Sequence, residues 1–131
     1  MRNSASDKHK NINGKEYSYN LSELIQLSNG NNDFLANMVG IFIRSSSEIM
    51  SKMKNAMVNN DWKNVSELAH KAGPSFHFMG LNNFSEKLKF IENNSANERE
   101  HKIINEMIGF IDRNLTVILE DLEKEVVKFK K

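Results

Sequence analysis

The sequence contains no cysteine and a single proline among its 131 residues. The lack of cysteine excludes disulfides, thiolate nucleophiles and cysteine metal sites, and it fits a reducing compartment. An excess of charge of one sign is also missing, because 18 basic residues face 17 acidic ones and leave a formal net charge of +1. Such a chain has no large electrostatic field for holding a nucleic acid or an anionic membrane, so neither partner is expected.

Long apolar runs are absent as well. None approaches the roughly 18 residues of a membrane span, and the segment MRNSASDKHKNINGKEYSYN lacks the apolar core of a signal peptide. We therefore expect a cytoplasmic protein. No GxGxxG or GxxxxGK pattern occurs, so the sequence predicts no nucleotide binding. What is present is the ordinary balance of one globular domain, with 39% hydrophobic and 27% charged residues.

Beyond residue 20, apolar residues recur three and four positions apart, which is the spacing of helices. We predict a flexible polar leader over residues 1–19 and a single helical domain over residues 20–131. Within the domain, a short first helix precedes four longer ones, which are predicted to begin near Asn32, after Asn60, at Asn83 with Glu86 and at Asn97 with Glu100. The short loops favour an all-α fold, an antiparallel up-and-down four-helix bundle with the short N-terminal helix across one end.

The segment ELAHKAGPSFHFMG, residues 67–80, carries the only proline inside a helical pattern, one turn after a histidine. At about 100° per residue, His70 lies on the outer side of this helix, away from the apolar stripe. Gly73 costs a helix interior about 1 kcal/mol relative to alanine, and Pro74 about 3 kcal/mol. We interpret Gly73 as leaving room for a partner beside the histidine, and Pro74 as kinking the helix and leaving the carbonyl of His70 free for water or another donor. The alternative is that the helix ends there and a separate turn follows, whereas Gly80 is expected to close the whole segment in a left-handed conformation.

An exposed neutral imidazole is a good nucleophile at physiological pH, which makes His70 the candidate reactive residue. The residues predicted to surround it on the outer strip are Lys63, Ser66, Lys71, Gly73, Pro74 and His77. His77 follows seven residues after His70, which puts the rings about 10 Å apart along the helix axis, too far for a shared metal ion. His9 and His101 are expected to be solvated surface residues.

The segment LAHKAGPSFHFMGL resembles the phosphoacceptor helix of histidine-containing phosphotransfer (HPt) domains of bacterial phosphorelays. That family has roughly the pattern Ala-His-x-x-Lys-Gly-Ser followed by a later Gly, and a variant has Pro in place of the first Gly. The positions that match are Ala69, His70, Pro74, Ser75 and Gly80. The upstream segment NLSELIQLSNGNNDFLANMVGIFI and the following FSEKLKFIE are also similar, so the resemblance covers about residues 20–92.

The resemblance implies that His70 accepts a phosphoryl group from the aspartyl phosphate of a receiver domain and passes it to another receiver. The protein would then be a phosphocarrier with transferase character, without nucleotide-dependent kinase activity of its own. It would need no cofactor, because Mg²⁺ is expected on the receiver. Its partners would be response-regulator receiver domains and a hybrid sensor histidine kinase, and the protein itself would be a monomer. Receivers would dock on the outer strip through a transient interface below about 1,200 Å².

One departure from the family pattern leaves an alternative open. The lysine usually found three residues after the histidine is Gly73 here, and Lys63 and Lys71 are nearby cations without a clear equivalence. A non-phosphorylated (pseudo-HPt) interaction or adaptor module is therefore the alternative to a carrier. A helical metal or haem bundle is a second alternative, but it would need polar residues in the core stripes, which are apolar in this sequence.

Overall fold

The computed structural model describes residues 9–11 and 18–131. The described chain is helical apart from one pair of three-residue strands, so the predicted all-α class is confirmed. In these residues no helix has the combination of length and apolar character that crossing a bilayer requires. In chain order, the elements are β1 (His9–Asn11), β2 (Ser18–Asn20), α1 (Ser22–Ser28), α2 (Asn32–Val58), α3 (Trp62–Phe78), α4 (Asn82–Asn94), a 3₁₀ turn (Glu98–Glu100) and α5 (His101–Phe129).

Short polar side chains begin the two helices after α1. The side chain of Asn31 accepts a hydrogen bond from the backbone N–H of Phe34 at the start of α2. Asp61 does the same for Asn64 at the start of α3. These bonds satisfy N–H groups that a helix terminus otherwise leaves without a partner. The predicted starts near Asn32 and after Asn60 follow directly from this chemistry.

The predicted start of α4 at Asn83, with Glu86 as the residue that completes the cap, is wrong. The helix begins one residue earlier, at Asn82, and its N-cap is Leu81, which makes no side-chain capping bond. Leu81 is buried, and its carbonyl accepts the backbone N–H of Ser85 at 2.9 Å. Core packing of a leucine therefore sets the start of this helix. Farther along, Asn97 caps the 3₁₀ turn that precedes α5 rather than α5 itself.

Helix α3 runs unbroken through Gly73 and Pro74 to Phe78, so the alternative in which it ends at the glycine is wrong. Ala72 and Phe76, on either side of the proline, are both fully buried. Burying a phenylalanine stabilises a fold by about 1.5–3 kcal/mol, which is comparable with the cost of a proline in a helix. Gly73 lowers the cost of placing Pro74 in the helix, because a glycine has no Cβ to clash with the ring of the proline that follows.

Gly80 lies just past the end of α3 and has a φ of +74°, the left-handed conformation that the sequence predicts. A Cβ at this position would lie 2.5 Å from the backbone nitrogen of Asn20. The same nitrogen donates a hydrogen bond to the carbonyl of Met79 at 2.9 Å. Glycine is therefore needed here for two reasons, the backbone conformation and the close approach of the chain before α1.

Edge-to-face aromatic contacts run through the core and connect the four long helices. Phe76 of α3 contacts Phe42 of α2 and Phe84 of α4, with ring centroids 5.2 Å and 6.5 Å away. Phe84 in turn meets Phe110 of α5 at 5.8 Å. Helix α3 packs most extensively on α4, and α2 on α5. The apolar faces of the four long helices thus meet in one core.

Tyr19 belongs to the packed core although the sequence places it in the leader. It is buried, and its hydroxyl donates a hydrogen bond to Asp121 of α5, with Glu125 3.5 Å away. Burial, followed by these carboxylates, raises the pKa of Tyr19 above its ordinary value. Pairing of β1 with β2 is also not predicted by the sequence. The other residues of the predicted leader, 1–8 and 12–17, lie outside the described residues.

Candidate functional site

His70 projects from the outer side of α3, as the helical pattern predicts. The opposite side of the helix is buried in the core through Val65, Leu68, Ala69, Ala72 and Phe76. The His70 side chain is 71% exposed. Because Pro74 has no backbone N–H, the carbonyl of His70 also lacks its usual helical donor. The exposed ring is therefore open to a partner molecule.

A carboxylate of the neighbouring helix holds one nitrogen of the ring. His70 Nδ1 lies 2.7 Å from Oε2 of Glu92 in α4. An ionised carboxylate can only accept hydrogen bonds, so the neutral imidazole must carry its proton on Nδ1. The lone pair is then on Nε2, which has no hydrogen-bond partner among the described residues. This arrangement is that of an oriented nucleophile.

Ser66 fixes α4 against α3 one turn before the histidine. Its hydroxyl donates a hydrogen bond of 2.8 Å to the backbone carbonyl of Glu92. The bond ties the residue that holds the imidazole to the helix that carries it. Ser66 is half-buried and makes this interhelical contact, whereas the sequence suggests it only as part of the docking strip. A hydrogen bond that holds the partner of a reactive side chain in place makes the orientation of that side chain more rigid.

An open groove of about 340 Å³ lies between α3 and α4 next to the imidazole. Its lining residues are Ala69, His70, Gly73, Pro74 and His77 from α3 and Ser85, Lys89 and Glu92 from α4. A Cβ built on Gly73 would meet no atom within 4 Å. The missing side chain thus keeps open the part of the groove one turn beyond His70.

The structure brings together four of the predicted site residues, His70, Gly73, Pro74 and His77, in this groove. Lys63 and Lys71 are exposed on α3 but do not line it. Their predicted contribution to docking stays a prediction. The side chain of His9 lies outside the described residues.

The expectation for His101 is wrong. Its ring stacks on Trp62 with centroids 3.6 Å apart, and its Nε2 lies 2.7 Å from the carbonyl oxygen of Ser95. The sequence offers no sign of this contact, because Trp62 and His101 are in different helices. This histidine is part of the packing at the start of α5.

Three residues of the groove are missed by the sequence reasoning, Ser85, Lys89 and Glu92. Each directly follows a residue of the buried stripe of α4, which consists of Phe84, Leu88 and Ile91. The sequence therefore contains a signal that they share one flank of the helix. It contains no signal that this flank faces His70.

Among the described residues, no group of three or more histidine, aspartate or glutamate side chains could hold a metal ion. Comparison of the chain with protein-family models and with curated proteins finds no match. The function is therefore inferred from the geometry around His70.

Proposed function

We propose that this protein is a phosphorelay carrier that accepts a phosphoryl group on His70 from a receiver aspartyl phosphate and passes it to a second receiver. The observation that carries the proposal is the exposed imidazole whose Nδ1 is held 2.7 Å from Glu92. Its Nε2 is available beside an open groove large enough for a visiting acyl phosphate. The resemblance of the segment around His70 to the HPt phosphoacceptor helix supports the same function.

The proposal includes the HPt architecture, an antiparallel up-and-down four-helix bundle with α1 across one end. Two contacts support it for α3 and α4, because His70 meets Glu92 while Phe76 meets Phe84. As the residue number rises in α3 it falls in α4, which is the relation of neighbouring antiparallel helices. The stacking of Trp62 on His101 adds a contact between the starts of α3 and α5, which suits two helices that point the same way.

In the proposed transfer one bond forms, one bond breaks and no proton leaves the site. The Nε2 lone pair attacks phosphorus in line, the Nε2–P bond forms, and the bond between phosphorus and the acyl oxygen breaks. The aspartate of the receiver leaves as a carboxylate. The proton stays on Nδ1, so the ring gains a positive charge directly beside the Glu92 carboxylate. In the second transfer another aspartate attacks phosphorus and the lone pair returns to Nε2.

Glu92 acts in this scheme as a positioning residue. It selects the tautomer with the reactive lone pair on Nε2 and stabilises the cationic ring of the phosphorylated state. Little else is required of the carrier, because the receiver is expected to bring its own Mg²⁺. No nucleotide-dependent kinase activity is proposed for this chain.

Receiver domains of response regulators and of a hybrid sensor histidine kinase would dock around His70, in the cytoplasm, on a monomeric carrier. The docking strip consists of Lys63, Ser66, Lys71, Gly73, Pro74 and His77, joined by the outer side of α1. A small, transient interface suits a carrier that must release one receiver before it meets the next.

The second candidate is a non-phosphorylated interaction module, and Gly73 is the observation that favours it. The α3 side of the groove has no lysine or arginine, so a phosphoryl group would lack the lysine that the family usually carries there. This candidate predicts that receivers bind the strip but transfer nothing. It gives no reason for a carboxylate to hold the imidazole in one orientation.

The test is phosphotransfer from a panel of phosphorylated receivers, supplemented by phosphoramidate, which phosphorylates exposed imidazoles directly. We expect wild-type protein to take up an acid-labile, alkali-stable phosphate. His70→Gln should take up none from receivers and keep its helical content. His101→Gln is the matched control and should be labelled like wild type. Receiver labelling of His70→Gln would refute the assignment, and binding without any labelling of wild type would favour the interaction module.

A further inference from the structure

The charged residues around the groove leave an electrostatic problem for a phosphorylated His70. A phosphoryl group brings close to two negative charges at neutral pH. Glu92, which holds the ring, adds another negative charge next to it. Even with the positive charge on the phosphorylated ring, the phosphoryl group and Glu92 leave an excess of negative charge at the site, and like charges repel. A cation in or beside the groove would therefore stabilise the phosphorylated state when no receiver with its Mg²⁺ is bound.

Lys89 is the only lysine or arginine among the residues that line the groove. It is exposed at the surface of α4, three residues before Glu92, so the two side chains share one face of that helix about one turn apart. Lys63 and Lys71 are exposed on α3 and do not line the groove.

The register of the two helices puts Lys89 opposite the missing side chain. His70 is paired with Glu92, and Phe76 with Phe84, so numbers rise along α3 while they fall along α4. One turn beyond His70 is Gly73, and the residue one turn before Glu92 is Lys89. A Cβ on Gly73 would meet no atom within 4 Å. The space that Gly73 leaves open is therefore the space that Lys89 borders.

We propose that Lys89, reaching from α4 across the groove above Gly73, is the cation that binds the phosphoryl group on His70. This inference rests on the proposed function and extends it to a residue outside α3. A lysine suits the task, since its ammonium is a compact charge on a flexible four-carbon chain and commonly binds phosphate. Gly73 then serves the site by giving that chain room.

The test measures the ionisation of the phosphoryl group itself by ³¹P NMR after loading with phosphoramidate. His9→Gln and His77→Gln are introduced first, so that the signal of His70 can be assigned by its loss in His70→Gln. A cation next to the phosphoryl group lowers the pKa of its second ionisation. We expect Lys89→Gln to raise that pKa by about half a unit or more, whereas Lys63→Gln and Lys71→Gln, each removing an exposed charge outside the groove, should change it little.

A rescue variant gives an independent readout. In the Lys89→Gln background, Gly73→Lys returns a cation to the groove from α3 and should lower the phosphoryl pKa again, with helicity checked by circular dichroism. Equal effects of Lys89→Gln and Lys71→Gln, with His70 phosphorylated normally, would overturn the role of Lys89 and leave the carrier function intact. Failure of wild-type His70 to become phosphorylated by any donor would overturn both.

Discussion

Two histidines of this protein, His70 and His101, have the same hydrogen-bond length and opposite surroundings. Nδ1 of His70 lies 2.7 Å from the carboxylate of Glu92, and the side chain is 71% exposed. Nε2 of His101 lies 2.7 Å from the backbone carbonyl of Ser95, and one face of the ring is covered by Trp62 at 3.6 Å.

The difference decides what each ring can do. In His101 the distal nitrogen is already engaged and an aromatic side chain excludes a partner, so the ring contributes packing. In His70 the proximal nitrogen is engaged by an ionised group, which leaves the distal lone pair in solvent and stabilises positive charge on the ring. Substitutions of His101 should therefore change stability and leave phosphorylation intact. Substitutions of His70 should abolish phosphorylation and leave stability nearly unchanged.

Removing the carboxylate that orients His70 should have the largest effect. We expect Glu92→Ala to lower the initial rate of labelling by a phosphorylated receiver about 10- to 100-fold, since a hydrogen bond to a charged group contributes about 1.5–3 kcal/mol. Glu92→Gln keeps an oxygen acceptor and should lose less. Glu86→Ala, an exposed glutamate of the same helix, is the control. A wild-type rate in Glu92→Ala would remove the positioning role.

Two glycines show the same contrast, because Gly73 borders open space whereas Gly80 is packed against Asn20. Gly80→Ala forces a left-handed φ on alanine and a Cβ against Asn20, and it should lower the free energy of unfolding by about 2 kcal/mol. Gly73→Ala should change it by less than about 1 kcal/mol, because better helix propensity is opposed by the clash with Pro74. Urea denaturation of both variants measures the difference. Similar losses would mean that the groove is not open at Gly73.

His101→Gln should lower the free energy of unfolding by about 1–1.5 kcal/mol, through loss of the stack on Trp62 and weakening of the bond to Ser95. His70→Gln should stay within about 0.5 kcal/mol of wild type, as surface substitutions usually do. Thermal and urea unfolding are the measurements. If the order of the two losses were reversed, the assignment of packing to one ring and chemistry to the other would be wrong.

Tyr19→Phe tests the packed region at its polar contact with α5 and should cost about 1 kcal/mol at neutral pH. It also changes the response to alkali. The pKa of Tyr19 is raised in the folded protein. Above the ordinary tyrosine pKa of about 10, the unfolded chain therefore releases a proton that the native state keeps. The contribution of Tyr19 is complete below that pH and falls as pH rises further. The stability difference between wild type and Tyr19→Phe, followed from pH 8 upward, should therefore shrink; a constant difference would contradict this.

The helices and the outward direction of His70 could be predicted because both follow from local periodicity. Val65, Leu68 and Phe76 define the buried side of α3 within a single element, and that fixes the opposite side. Persistence of the helix through Pro74 was one of two open alternatives, and the burial of Ala72 and Phe76 decides it.

The partners of the site could not be predicted, because they depend on how helices meet. Glu92 reaches His70 only through the register in which Phe76 packs on Phe84. The burial of Tyr19 and the packing of His101 could not be predicted for the same reason. Tyr19 contacts Asp121 and His101 contacts Trp62, and each contact joins distant parts of the chain. Single-sequence patterns describe faces of helices and contain no information on which faces pair.

The most direct test of the central claim is to identify the phosphorylated atom. After transfer from a phosphorylated receiver, the phosphorus can be assigned to a residue by mass spectrometry and to a ring nitrogen by ¹H, ¹⁵N and ³¹P NMR. We predict a single product with phosphorus on Nε2 of His70 and the proton retained on Nδ1. Phosphorus on Nδ1 of His70, or on His77 or His101, would contradict the account.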